Sequence, residues 1–69
     1  MVLRVKKADS AYLYRVLESY EGITNFSTLP EPPGVPYRDV LLHIAPDFLP
    51  AVERLVAHLK QEMEIEKIA

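Results

Sequence analysis

Residues 11–29 read AYLYRVLESYEGITNFSTL, and this stretch decides the fold. Leu13, Val16, Leu17 and Tyr20 recur at i, i+3, i+4 and i+7, the spacing of one face of an α-helix. Arg15, Glu18 and Glu21 point away from that stripe. Gly22 stands where a residue without a Cβ can close a helix in the left-handed region. Beyond it Ile23, Thr24, Phe26 and Thr28 are β-branched or aromatic, the composition of a strand. Ile23 and Leu29 point one way and Thr24, Phe26 and Thr28 the other, a register that leaves room for a bulge. The spacing predicts a helix running to about Glu21 and turning directly into a strand.

Upstream, Val2 to Lys7 alternates, with Leu3 and Val5 on one face and Arg4 and Lys6 on the other: a strand with one buried side. Ala8-Asp9-Ser10 then reads as a tight connection in which Asp9 or Ser10 caps the first helix. Downstream, four prolines fall within Pro30 to Tyr37, a stiff loop able to join two antiparallel strands. Arg38 to Ala45 is the strongest strand pattern, with Val40, Leu42 and Ile44 on one face and Leu41, His43 and Ala45 on the other. Asp47 is placed to cap a second helix, with Pro50 in its first turn and Phe48, Val52, Leu55, Val56, Leu59 and Met63 along its apolar face. Glu64 to Ala69 returns to alternation as a short last strand.

The element order β-α-β-β-α-β comprises two crossover units separated by a hairpin. With right-handed crossovers it predicts an α+β, ferredoxin-like βαββαβ sandwich: a four-stranded antiparallel sheet, order 4-1-3-2, with two helices on one face. The 69 residues make a single domain spanning 1–69. A chain this short lies near the margin at which one core suffices, so burial of a further surface in a homodimer would help it.

Hydrophobic residues make up 49% and charged residues 26%, the profile of a globular domain rather than a disordered one. No apolar run reaches the length of a membrane span, and the N-terminus lacks the apolar core of a signal peptide, so a cytoplasmic location is expected. Cysteine is absent, which excludes disulfides, thiolate metal sites and cysteine nucleophiles. The net charge of −2 gives no bulk attraction to nucleic acid or anionic membrane. Few amide side chains, no cysteine and six prolines are a composition that fits a thermophile.

Over nearly its whole length the chain resembles a family of short bacterial proteins classed only as a domain of unknown function. The residues that carry the likeness are Leu17-Glu18-Ser19-Tyr20-Glu21-Gly22, Ser27-Thr28-Leu29 and Ala45-Pro46-Asp47. More loosely, Leu13 to Leu29 is similar to the first helix and second strand of ACT domains, regulatory modules that bind amino acids. That likeness implies a small-ligand role. ACT domains commonly carry Pro-Gly at the turn into helix one, whereas Lys7-Ala8-Asp9-Ser10 has no glycine, and no ligand residue is carried across.

No catalytic constellation stands out. His43 and His58 lack an accompanying H-x-H, H-E-x-x-H or carboxylate cluster, so no metal site is assigned. Ser10, Ser19 and Ser27 sit in no nucleophile motif, and Asp9, Asp39 and Asp47 fall at element ends where caps use aspartate. The two glycines cannot build a phosphate loop, and no cofactor is implied. Pro30-x-x-Pro33 and Pro33-x-x-Pro36 match a groove-binding spacing, but a stiff hairpin loop explains them more simply. An acylphosphatase-like enzyme would share the fold only; Arg4 lies mid-strand rather than in a loop after strand one. Tyr12, Tyr14 and Tyr37 suit either a pocket lining or half-buried packing.

The open sheet face is the surface of interest, with Arg4, Lys6, Leu41 and His43 expected on it and Phe26 and Thr28 joining them. Exposed Leu41 and Phe26 favour self-association there or at a strand edge. The alternative is a single-stranded RNA platform, with Arg4 and Lys6 on phosphates and Phe26 or His43 stacking on bases. A mixed solvated face is the third reading. The sequence thus points to a non-catalytic binding or regulatory module, homodimeric, with Asp9, Ser10, Phe26, Leu41 and His43 as candidate ligand or interface residues.

Overall fold

A computed structural model describes residues 1–20 and 24–69. The expectations placed on Glu21, Gly22 and Ile23 lie outside the described residues. In chain order the elements are β1 (Val2–Lys6), α1 (Lys7–Glu18), β2 (Thr24–Thr28), β3 (Tyr37–Ile44), a 3-10 turn (Pro46–Phe48), α2 (Leu49–Leu59) and β4 (Ile65–Lys67). The strands form one antiparallel sheet in the order β2-β3-β1-β4, the predicted 4-1-3-2 order read from the other edge. Leu3, Val5, Val40 and Leu42 on one sheet face and Leu13, Leu17, Val52, Val56 and Leu59 from the helices form one buried cluster. Both helices therefore cover the same side, as the period-2 and period-3.6 patterns require.

Several local expectations are corrected. The connection at Ala8 to Ser10 does not exist, because α1 begins at Lys7 directly after β1. Neither Asp9 nor Ser10 caps it. Asp9 lies in the first turn, and the buried Ser10 hydroxyl donates back to the Lys7 carbonyl at 2.8 Å. The Lys7 N–H, one of the first-turn donors without an intrahelical partner, is satisfied by the Pro36 carbonyl at 3.0 Å. At its other end α1 closes at Glu18, with the Ser19 hydroxyl donating to the Val16 carbonyl. Tyr20 is consequently outside the core and exposed.

The second strand carries no bulge over Thr24–Thr28. Each of its residues pairs in step with β3, from Thr24 opposite Ile44 to Thr28 opposite Val40. Asp47 falls within the 3-10 turn and makes no capping bond to α2, and Phe48 is exposed rather than in the core. Proline-rich entry into a helix leaves few N–H groups that need a cap, which removes the demand the aspartate was expected to meet.

Candidate functional site

Residues directly opposite in an antiparallel pair share a face, so the register assigns the open face without ambiguity. Leu3 and Val40, Val5 and Arg38, and Phe26 and Leu42 pair on the helix side. Val2 with Leu41, Arg4 with Asp39, Lys6 with Tyr37, Asn25 with His43 and Ser27 with Leu41 pair on the open side. From β4, Glu66 pairs with Arg4, and Lys6 bonds Glu64 at 3.4 Å.

Phe26 is therefore not on the open face. It packs under α1, its ring stacked on Tyr14 at 5.3 Å between centroids and 7° between planes. Thr28, opposite Val40, belongs to the helix side as well. The misreading has a physical source. A strand with Ile23, Phe26 and Leu29 as its large residues offers no consistent period of two, and only pairing to Leu42 settles which way Phe26 turns.

At the centre of the open face, Arg4 makes a fork to Asp39, Nε to Oδ1 at 2.9 Å and Nη2 to Oδ2 at 3.1 Å. Its guanidinium also lies 3.8 Å from the centroid of the Tyr37 ring. The hydrogen bonds that Arg4 donates to Asp39 raise the arginine's pKa. Beside this polar row runs an apolar one, in which Leu41 and Val2 are neighbours and Ile68 donates its N–H to the Val2 carbonyl at 3.0 Å. At the far corner, His43 Nε2 and Ser27 Oγ are 3.2 Å apart, exposed, with no third group oriented on the imidazole among the described residues. Where β1 meets the turn after α2, an open groove of about 560 Å³ is lined by Lys6, Tyr37, Lys60, Met63, Glu64 and Ile65 among others.

Of the five candidate residues, Leu41 and His43 share the open face. Phe26 lies on the opposite side of the sheet. Asp9 and Ser10 belong to the first turn of α1.

The two sheet edges differ. The β4 edge is three residues long and carries Glu66 and Lys67. The β2 edge is five residues long, TNFST, with no charge and no proline. Leu29 donates to the Asp39 carbonyl at 3.0 Å. The ladder's alternation therefore turns the backbone groups of Asn25 and Ser27 toward β3 and those of Phe26 and Thr28 outward.

Sequence reading also missed a polar cluster beneath the proline-rich loop. Glu31 Oε1 accepts from Lys7 Nζ at 3.1 Å and from Arg38 Nη2 at 3.5 Å, with the Glu31 side chain only 18% exposed. Tyr14 raises the pKa of the Arg38 guanidinium, yet its hydroxyl makes no hydrogen bond of good geometry. The available signal was a lone carboxylate between two prolines, with nothing in the local pattern to say that two cations converge on it.

Among the described residues no group of three or more His, Asp or Glu side chains is disposed to hold a metal ion, and no helix is long and apolar enough to cross a membrane. No curated protein and no solved structure matches the chain. A family profile described as a domain of unknown function (DUF4911) matches residues 3–63, from the first core residue of β1 to the bend before β4, and the chain belongs to that family.

Proposed function

We propose that this domain is a non-catalytic binding and regulatory module of the cytoplasm that works as a homodimer joined along the free edge of β2. The observation that carries this reading is the uncharged β2 edge. A strand edge without charge, proline or bulge is a template for pairing with another strand. The other edge is blunted by its brevity and by Glu66 and Lys67. A two-fold axis at Phe26 would set Phe26 against Phe26 and Thr28 against Thr24 of the second copy. The Thr24 N–H already donates to the Tyr20 carbonyl, so Thr28 would donate to Thr24 and receive nothing back. The ACT-like helix–strand corner supports a small-molecule ligand, and the groove beside Lys6, Lys60 and Tyr37 is a surface on which one could bind.

The RNA reading is the weaker one. Arg4 is engaged by Asp39 and Tyr37, Phe26 is under the helix, and Glu64 and Glu66 lie beside the remaining cation, Lys6.

Sedimentation equilibrium at micromolar concentration tests the dimer. Wild type is expected to sediment as a dimer. Thr28→Lys, which puts a charge on the edge, and Thr28→Pro, which removes an outward N–H without touching the β2–β3 ladder, are expected to be monomeric and folded. A monomeric wild type would overturn the assembly. An absence of thermal shift across amino acids and nucleotides would overturn the ligand-binding role.

A further inference from the structure

The buried side-chain polar atoms without a partner among the described residues are Tyr14 Oη, Glu31 Oε2 and Arg38 Nε, and all belong to the cluster under the proline-rich loop. A buried polar atom left unpaired is destabilising, and their concentration at one place calls for a cause. We propose that Lys7, Tyr14 and Arg38 form a binding site for a small oxyanion, a carboxylate or phosphate group, which Glu31 occupies as an internal stand-in.

Glu31 fills the site poorly. Both cations converge on its Oε1, leaving Oε2 without a donor and Arg38 Nε without an acceptor. A guanidinium binds a carboxylate or phosphate best through two parallel N–H···O bonds, as Arg4 does with Asp39 in this same protein. Glu31 does not form that fork: only Nη2 of Arg38 reaches it, at 3.5 Å, and Pro30 and Pro32 stiffen the backbone that carries it. A free oxyanion has no such tether. It can take Nε and Nη2 of Arg38 together, accept from Lys7 Nζ and offer a further oxygen to the Tyr14 hydroxyl. That arrangement satisfies every donor the stand-in leaves idle.

The electrostatics agree. Lys7 and Arg38 bring two positive charges against the single negative charge of Glu31, so the cluster is cationic with the loop closed and more so with it displaced. The loop is anchored at both ends, by Leu29 N–H to the Asp39 carbonyl and by Lys7 N–H to the Pro36 carbonyl, each at 3.0 Å. Between them Gly34 turns the chain at φ +82°. The segment that must move to release Glu31 is thus short and lies between two fixed points. Glu31 acts as an autoinhibitory contact that sets the affinity for the incoming anion.

The test follows the Arg38 Nε–H and the Tyr14 ring by NMR while inorganic phosphate, and separately acetate, is titrated into the full chain. Both signals are expected to move in wild type. In Glu31→Gln they should move at about tenfold lower concentration, the factor expected for relieving one charge-assisted competitor. Glu31→Ala is the second variant should Gln retain the contact, and circular dichroism establishes that each is folded. The Tyr14 shift should vanish when Arg38→Gln is added to either variant. A response to phosphate alone identifies a phosphate ligand, and a response to both admits a carboxylate. Signals that stay put in wild type and both Glu31 variants would overturn the proposal. A Tyr14 shift that survives Arg38→Gln would reduce it to an adventitious ion only.

Discussion

Phe26→Ala is the substitution that separates the two faces of the sheet. Truncating a fully buried phenylalanine costs roughly 3–5 kcal/mol. Phe26 is half-buried against the core cluster, so about 2–3 kcal/mol is expected, of which about 1 kcal/mol comes from its parallel stack on Tyr14. Leu41→Ala, on the open face, loses a cross-strand contact with Val2 and should cost about 1 kcal/mol or less. A 69-residue domain has on the order of 3–10 kcal/mol in total, so the first change takes a large share of it. Urea unfolding followed by circular dichroism reads both, with an unchanged m-value as the sign that the folded state is intact. A double-mutant cycle of Tyr14→Leu and Phe26→Leu should return a coupling of about 1 kcal/mol. If Phe26→Ala cost no more than Leu41→Ala, or the coupling vanished, the register that puts Phe26 under α1 would be wrong.

Three further outcomes follow from the geometry. Gly34→Ala should destabilise by about 1 kcal/mol, purely from backbone strain at φ +82°, since a Cβ there meets no atom within 4 Å; Gly34→Asn should cost less, and urea midpoints measure both. Tyr12 donates to Glu62 at 2.9 Å, and that bond raises its pKa above the ordinary tyrosine value. The bond's contribution is therefore complete below about pH 10 and lost as pH rises through the raised value. Phenolate absorbance should show a late-titrating tyrosine that Tyr12→Phe removes and Glu62→Gln returns toward normal. Asp39→Asn should lower the urea midpoint at low ionic strength, with a smaller effect at high salt, because the Arg4 fork is partly exposed; equal loss at both would refute an ionic contribution.

The fold was legible because its main signals are redundant. Leu3 and Val5 alternate, Leu13 and Leu17 repeat at helical spacing, and Val40, Leu42 and Ile44 alternate again, so three elements agree on one core. The functional surface was less legible, for reasons that are physical. Asp9 and Ser10 look like caps, yet the Lys7 N–H is met by Pro36, a residue far along the chain whose approach no local pattern encodes. Phe26 sits in a strand whose neighbours are all small and polar, so its facing depends on the partner strand alone. Glu31 is drawn in by Lys7 and Arg38 from two different elements, a convergence that only the closed tertiary structure produces. Leu41 and His43 were placed correctly because β3 is long and its alternation is complete.

The state of the polar groups on each surface favours the edge over the open face as the place where a second copy would attach. On the face, Arg4 has Asp39 and Tyr37, Lys6 has Glu64, and Ser27 has His43. Covering those pairs would desolvate charges already satisfied, a cost that the short apolar row of Leu41, Val2 and Ile68 offsets only in part. On the β2 edge the outward N–H and C=O groups of Phe26 and Thr28 make no backbone hydrogen bond among the described residues, and a second strand would give them ladder bonds at an edge whose own residues carry no charge. The same comparison explains why the β4 edge is the weaker site: it offers only three residues, and pairing there would take water from Glu66 and Lys67. Association along β2 would also leave both open faces and both grooves unobstructed, so dimerisation and ligand binding would not compete for one surface.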